Sequence, residues 1–232
     1  CGRQTTSAVI GEQPVSASPL TCPVLGSTPR ELTVPEIKKI VSQFGDAALR
    51  AKKAGFDGVE VHGAHGYLIA QFMSKYSNKR CDEYGGSLEN RLRFPLEIIK
   101  DIREKCGPDF VIGFRISGDE KVPGGRSIEE TKTIAIKLEK QGVDVLHVSV
   151  GVYESTWAII PPMKIAPGWI ADYAEEVKRV VNIPVITVGR INDPFVAESI
   201  LLSGKADLVA MGRSSLADPE LPNKFARGEY DD

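Results

Sequence analysis

Two of the three histidines in this chain stand three residues apart, in the run His62-Gly63-Ala64-His65-Gly66-Tyr67-Leu68. Two imidazoles so close can each donate a hydrogen bond to one carbonyl or carboxylate oxygen and stabilise negative charge developing there. Tyr67 beside them adds a phenolic proton donor. Two other readings of the pair stand next to this one: histidines held by structural hydrogen bonds, or half of a metal site. A metal site needs a third His, Cys or carboxylate ligand. The near candidate is Glu60, two residues before His62 and on the same side of an extended strand.

A second kind of site is written twice. Val185-Ile186-Thr187-Val188-Gly189-Arg190 and Leu208-Val209-Ala210-Met211-Gly212-Arg213 are each an apolar run ending in Gly-Arg. Glycine lets a phosphate approach backbone N–H groups, and arginine adds charge-assisted hydrogen bonds. The plainer alternative is a tight turn followed by a surface arginine. Arg115, in Gly113-Phe114-Arg115-Ile116-Ser117, ends a third apolar run. A buried arginine needs a partner, here either an internal carboxylate or an electron-rich cofactor atom.

The elements that must position these groups are short apolar runs without in–out alternation, the pattern of buried parallel strands. They cover residues 58–61, 110–114, 143–148, 184–188 and 208–210. Helical stretches separate them. Thr33 with Glu36, and Ser127 with Glu130, each predict a capping box, and Gly55 and Gly142 are placed to end the helices that follow. Ser87 is placed to cap another helix, with Pro95 predicting a kink or a late start; Asp193-Pro194 and Asp218-Pro219 mark two more starts. Strand–helix alternation implies a parallel sheet with right-handed crossovers.

His62, Arg115, Ser149 with Gly151, Gly189-Arg190 and Gly212-Arg213 all fall just past strand C-terminal ends. In a (β/α)₈ barrel those ends converge on one mouth, where active sites lie, and the last two strands frequently hold a phosphate. An open doubly wound sheet keeps its site at one switch point, and no G-x-G-x-x-G turn follows the first strand. The pattern therefore predicts an α/β fold of the (β/α)₈ TIM-barrel type, present as its last five βα units. Residues 1–32, rich in Ser, Thr and Pro, read as an irregular loop or hairpin over one end of the sheet. With the repeats of 33–232 they form a single domain, 1–232.

At 42% hydrophobic and 26% charged, the 232 residues have the composition of an ordinary globular domain. A formal charge of −2 argues against nucleic-acid or membrane-surface partners. No apolar run approaches the roughly 20 residues of a membrane span. Four scattered cysteines without a C-x-x-C pair suit a reducing, cytoplasmic setting. The chain opens Cys1-Gly2-Arg3 rather than with methionine, so it reads as a fragment. Five strands cannot close an eight-strand circle, which predicts association through open barrel edges or a homo-oligomer.

The run at 62–68, together with Gln71-Phe72-Met73-Ser74, Ser77-Asn78-Lys79-Arg80, Tyr84-Gly85-Gly86-Ser87, Glu89-Asn90-Arg91 and the two Gly-Arg turns, resembles the old yellow enzyme family. Within it the resemblance is to the 2-enoate reductase, 2,4-dienoyl-CoA reductase and NADH oxidase branch, and it extends from residue 33 to the end. It implies FMN at the barrel mouth, reduced by NADH or NADPH, with hydride passing from flavin N5 to the β-carbon of an activated alkene. By the same resemblance His62 and His65 hold the carbonyl oxygen of an enone or enoate, and Tyr67 protonates its α-carbon. Arg115 faces the N1/O2 edge of the flavin, and Gly189, Arg190, Gly212 and Arg213 bind the FMN phosphate. Three further strands ahead of this region are implied, and an iron–sulfur cluster only in a longer parent chain. From the residues alone, a metal-dependent barrel lyase or hydrolase using His62 and His65, or a non-catalytic truncated fragment, stand as alternatives.

Overall fold

The computed structural model describes residues 1–230. The chain opens with a single helical turn, α1 (Ser7–Ile10), and two short strands, β1 (Val15–Ser16) and β2 (Arg30–Glu31). These strands pair in parallel, so the expected hairpin is not formed. Residues 17–29 between them are long enough for the crossover that a parallel pair requires.

The repeats then run α2 (Val34–Lys53), β3 (Gly58–Gly63), α3 (Leu68–Met73), α4 (Leu88–Cys106), β4 (Val111–Ser117), α5 (Ile128–Gln141) and β5 (Val145–Ser149). A 3₁₀ turn (Tyr153–Ser155) leads into α6 (Thr156–Ile159), followed by α7 (Ala171–Lys178), β6 (Val185–Val188), α8 (Pro194–Leu202), β7 (Leu208–Ala210), α9 (Arg213–Ala217) and α10 (Leu221–Arg227). The five strands β3 to β7 form one parallel sheet in chain order. Sequential order without a reversal is the winding of a barrel rather than of a doubly wound sheet.

The ladder sorts the strand residues onto two faces. Val61, Ile112, Phe114, Ile116, Leu146, Val148 and Val185 are buried and join one core with Ile37, Ile98, Ile102, Ile134, Leu138 and Val177 of the helices. Each such side chain contributes about 1.5–3 kcal/mol by leaving water. The opposite face carries Glu60, His62, Val111, Arg115, Val145, His147, Ile186 and Leu208, and is largely open; Val111 and Leu208 remain 43% and 48% exposed. This face and the C-terminal strand ends bear the candidate chemistry.

Several local expectations change. Strands β3, β4 and β5 run past their expected ends, because His62 registers with Arg115, Arg115 with His147 and Ser117 with Ser149. His62, Arg115 and Ser149 are thus ladder residues rather than loop residues. The Thr33–Glu36 capping box forms, with Glu36 Oε2 accepting from Thr33 N at 2.8 Å. Ser127 starts α5 without a box, since Glu130 instead accepts from Arg91 Nη1 at 2.9 Å. Helix α4 starts at Leu88 and continues through Pro95. The cost of an interior proline, about 3 kcal/mol, is offset by burial of Leu92, Phe94, Ile98 and Ile99 on the same helix. Asp218 accepts from Glu220 N at 2.9 Å, and α10 begins only at Leu221, with Pro222 in its first turn.

Candidate active site

Helix α3 begins almost directly after β3, and the chain must reverse in the few residues between. It does so with two left-handed residues in succession, His65 (φ 57) and Gly66 (φ 72). A non-glycine residue seldom holds that conformation without help. The His65 N–H donates to Ser117 Oγ at 2.9 Å, and its Nε2 lies 2.7 Å from Ser149 Oγ. Ser117 in turn donates to the Gly151 carbonyl at 2.9 Å. The paired serines at the ends of β4 and β5 therefore clamp the turn that carries His65.

His62, His65 and Tyr67 come together. The ring centroids of His62 lie 5.1 Å from His65 and 5.2 Å from Tyr67, and the Tyr67 hydroxyl is 3.0 Å from that of Tyr153. Burial, reinforced by the Arg115 charge, pushes His65 down to about 3. The same two causes lower His62, against a partial offset from Glu60. Burial and the Tyr153 hydroxyl push Tyr67 up to about 12. At neutral pH the group is thus two uncharged imidazoles, each with one N–H donor, and a protonated phenol, so three donors are available without an ionised acid.

A cleft of about 190 Å³ lies beside them, bounded by His65, Arg115, Gly189, Arg190, Gly212 and Arg213, and a second opening of about 260 Å³ extends it past Arg190 and Arg213. Among the described residues no carboxylate borders either space, so both favour an anion. Gly189 has φ 128, and a Cβ there would stand 2.7 Å from Ile170 Cδ1. At Gly212 a Cβ would meet nothing within 4 Å, leaving open backbone facing the space. Arg213 is exposed, whereas Arg190 donates from Nη1 to the carbonyls of Met163, at 2.7 Å, and Ile165, which pins the preceding loop. His62 and Tyr67 open onto a neighbouring hollow with Leu68 and Phe44.

A family profile described as NADH:flavin oxidoreductase / NADH oxidase matches residues 7–232. The chain belongs to that family. It is 56% identical to a NADH oxidase of Thermoanaerobacter brockii over 232 residues, covering all of this chain and 36% of that protein. A cinnamate reductase of Clostridium sporogenes is 43% identical over 99% of this chain and 37% of its own length. Among solved structures, a 2-naphthoyl-CoA reductase complex superposes with a TM-score of 0.93 at 35% identity, covering 98% of this chain and 36% of that one. A morphinone reductase does so at 0.79 and 33%, covering 98% and 63%. The chain thus spans about a third of the length of the curated relatives it matches first. Its α/β fold is that of a partial TIM barrel of the old yellow enzyme type.

For an NADH:flavin oxidoreductase chain, the group to be housed is FMN, and the residues present fit it. Arg115 Nε is buried with no hydrogen-bond partner among the described residues, on the border of an arginine-rich cleft. Burial lowers the Arg115 pKa, with Glu60 opposing, so an electron-rich ligand edge would relieve it. Many of the other family segments turn out to be scaffold. Asn78 Nδ2 donates to the carbonyls of Phe72 and Tyr84 at 2.7 and 2.8 Å, and Arg80 Nη1 to those of Ala17 and Leu32 at 3.0 and 2.7 Å. Gln71 donates to the Gly66 carbonyl at 2.6 Å while its Oε1 accepts from Arg3 N and Ser16 Oγ. That one side chain ties the N-terminal segment to the His65 turn.

Sequence reasoning missed Ser117, Tyr153 and His147 as parts of the site. The first two carry only a hydroxyl signal, which serines and tyrosines give everywhere. Ser149 was noted only as a strand-end residue, not as a partner of His65. Glu60, weighed as a third metal ligand, instead lies 2.8 Å from His147 Nδ1. Among the described residues no three His, Cys, Asp or Glu side chains are grouped to hold a metal, and no helix is long and apolar enough to cross a membrane.

Proposed function

We propose that this chain supplies the substrate-polarising residues and the phosphate end of the cofactor site of an FMN-dependent reductase. It would draw on NADH or NADPH and reduce the activated C=C bond of an α,β-unsaturated carbonyl or carboxylate. The observation that carries this reading is the cluster of neutral His62, neutral His65 and protonated Tyr67 beside the three-arginine cleft. Bound FMN supplies hydride chemistry that no side chain can. Gly189, Arg190, Gly212 and Arg213 would hold its phosphate, through backbone N–H groups, the Arg213 guanidinium and what Arg190 leaves free, and Arg115 would serve its electron-rich edge.

His62 and His65 each donate to the substrate oxygen, so the double bond is polarised without an ionised acid. A Ser149 hydroxyl donating to His65 Nε2 leaves the imidazole proton on Nδ1 for that purpose. Tyr67 then delivers a proton to the α-carbon, and the Tyr153 hydroxyl, 3.0 Å away, is placed to relay a solvent proton back to it. The described residues, 1–230, act as one unit, because Gln71 and Arg80 bind the first segment to the repeats; the last two residues of the expected domain, 1–232, lie outside them. The test is anaerobic. The full-length protein should absorb between roughly 350 and 500 nm, bleach with NADH or NADPH, and regain its colour with a cinnamate-type enoate. Bleaching without recovery by any enoate or enone would exclude alkene reduction.

The open face predicts how these 232 residues behave by themselves. Strands β3 and β7 each have one edge without a strand partner among the described residues, and Val111, Leu208 and Ile186 line the unpacked face. Such a surface favours pairing with another chain. Sedimentation velocity is expected to show dimers or larger species; a sharp monomer across micromolar concentrations would contradict this.

A further inference from the structure

The open face of the sheet carries a cation and an anion that ordinarily would pair. Arg115 stands on β4 between His62 of β3 and His147 of β5, all three in register. Glu60 lies one step along β3 from His62, registered with Gly113, and a long arginine side chain reaches such a diagonal neighbour. Yet Arg115 Nε is buried without a hydrogen-bond partner among the described residues, and the Glu60 carboxylate accepts from His147 Nδ1 at 2.8 Å instead. The bridge joins two strands that are not neighbours and so must pass over β4. It passes at Gly113, where a Cβ would stand 3.6 Å from Glu60 Cβ and 3.4 Å from Val145 Cγ1. A Cβ there would make only ordinary van der Waals contacts, and the bridge crosses the sheet over a position that bears no side chain.

We propose that His147 is a positioning residue that holds the Glu60 carboxylate off Arg115, so that the guanidinium keeps its donors, and a field not offset by a carboxylate, for the ligand of the cleft. This rests on the reading that Arg115 faces bound FMN. The titratable groups that face Arg115 are Glu60, His62, His65 and His147. Of these only Glu60 is an anion, so its placement decides whether the Arg115 field is offset. Burial works to raise the Glu60 pKa, but the His147 hydrogen bond and the charges of His147 and Arg115 outweigh it, and the net direction is downward. In the bridge the carboxylate is therefore ionised, and closing on Arg115 would keep it so once His147 releases it.

The test is the midpoint potential of FMN bound to the full-length protein. His147→Leu frees Glu60 to close on Arg115, which would offset the positive field available to stabilise negative charge on the reduced ring. The reduction equilibrium is expected to fall at least tenfold, about 30 mV for a two-electron couple. The double variant His147→Leu with Glu60→Gln has no carboxylate to move and should return to the parent value. His147→Asn, which keeps a donor near the Nδ1 position, should stay there too, and His147→Phe repeats the release should the leucine variant not fold. An equal fall in the single and double variants would show that His147 acts only through packing, and would overturn the proposal. Arg115→Leu separates the two levels. If it leaves the potential unchanged, Arg115 does not face the flavin and the inference falls with that reading. If it lowers the potential while His147→Leu does not, the inference alone fails.

Discussion

Tyr67→Phe is expected to slow reoxidation of the reduced protein by an enoate roughly 10²- to 10⁴-fold, the usual contribution of a positioned general acid. Reduction by the nicotinamide nucleotide should proceed at the parent rate, because only protonation of the α-carbon uses the phenol. The environment of Tyr67 supports the division. Burial and the Tyr153 hydroxyl hold its pKa up at about 12, so the proton is present at every neutral pH and the wild-type step should be flat there. Stopped-flow measurement of the two half-reactions checks this. Equal slowing of both would make Tyr67 a packing residue of the His62 and Tyr153 rings, which lie 5.2 and 5.6 Å away.

The next largest effect is expected at the histidines. His62→Ala and His65→Ala should each weaken binding of a phenol-type ligand by about 1.5–3 kcal/mol, the worth of one hydrogen bond to a charged acceptor, or roughly 10- to 150-fold in Kd. Both imidazoles are held below their ordinary value, His65 at about 3. His65 should gain no proton near neutrality, and His62 should do so only below its ordinary value, so the ligand's affinity should show no histidine titration above about pH 6.5. Equilibrium titration with the melting temperature as a control checks both points, since His65→Ala also places alanine at φ 57. Unchanged affinity in both variants would remove the oxygen-binding role.

Much of this was legible because barrels write their function at strand ends. The five apolar runs located the strands, and the two Gly-Arg turns and Arg115 border one cleft as their positions suggested. What was not legible depended on register. Nothing local says that Ser117 and Ser149 pair across β4 and β5, or that Glu60 reaches past Gly113 to His147, because these contacts join residues more than 30 apart in the chain. Glu130 was misread for a related reason: a capping box is a local rule, and Arg91 of the preceding helix out-competed the local partner. The parallel pairing of β1 with β2 escaped notice because two-residue strands leave no periodic signal.

Solvent labelling tests the central claim most directly. With the full-length protein, an unsaturated acid and excess NADH or NADPH in heavy water, the reduced product should carry solvent deuterium on the α-carbon, the atom served by Tyr67. Solvent deuterium confined to the β-carbon, or an oxidised nucleotide with the alkene untouched, would contradict the assignment of His62, His65 and Tyr67 to a polarised double bond.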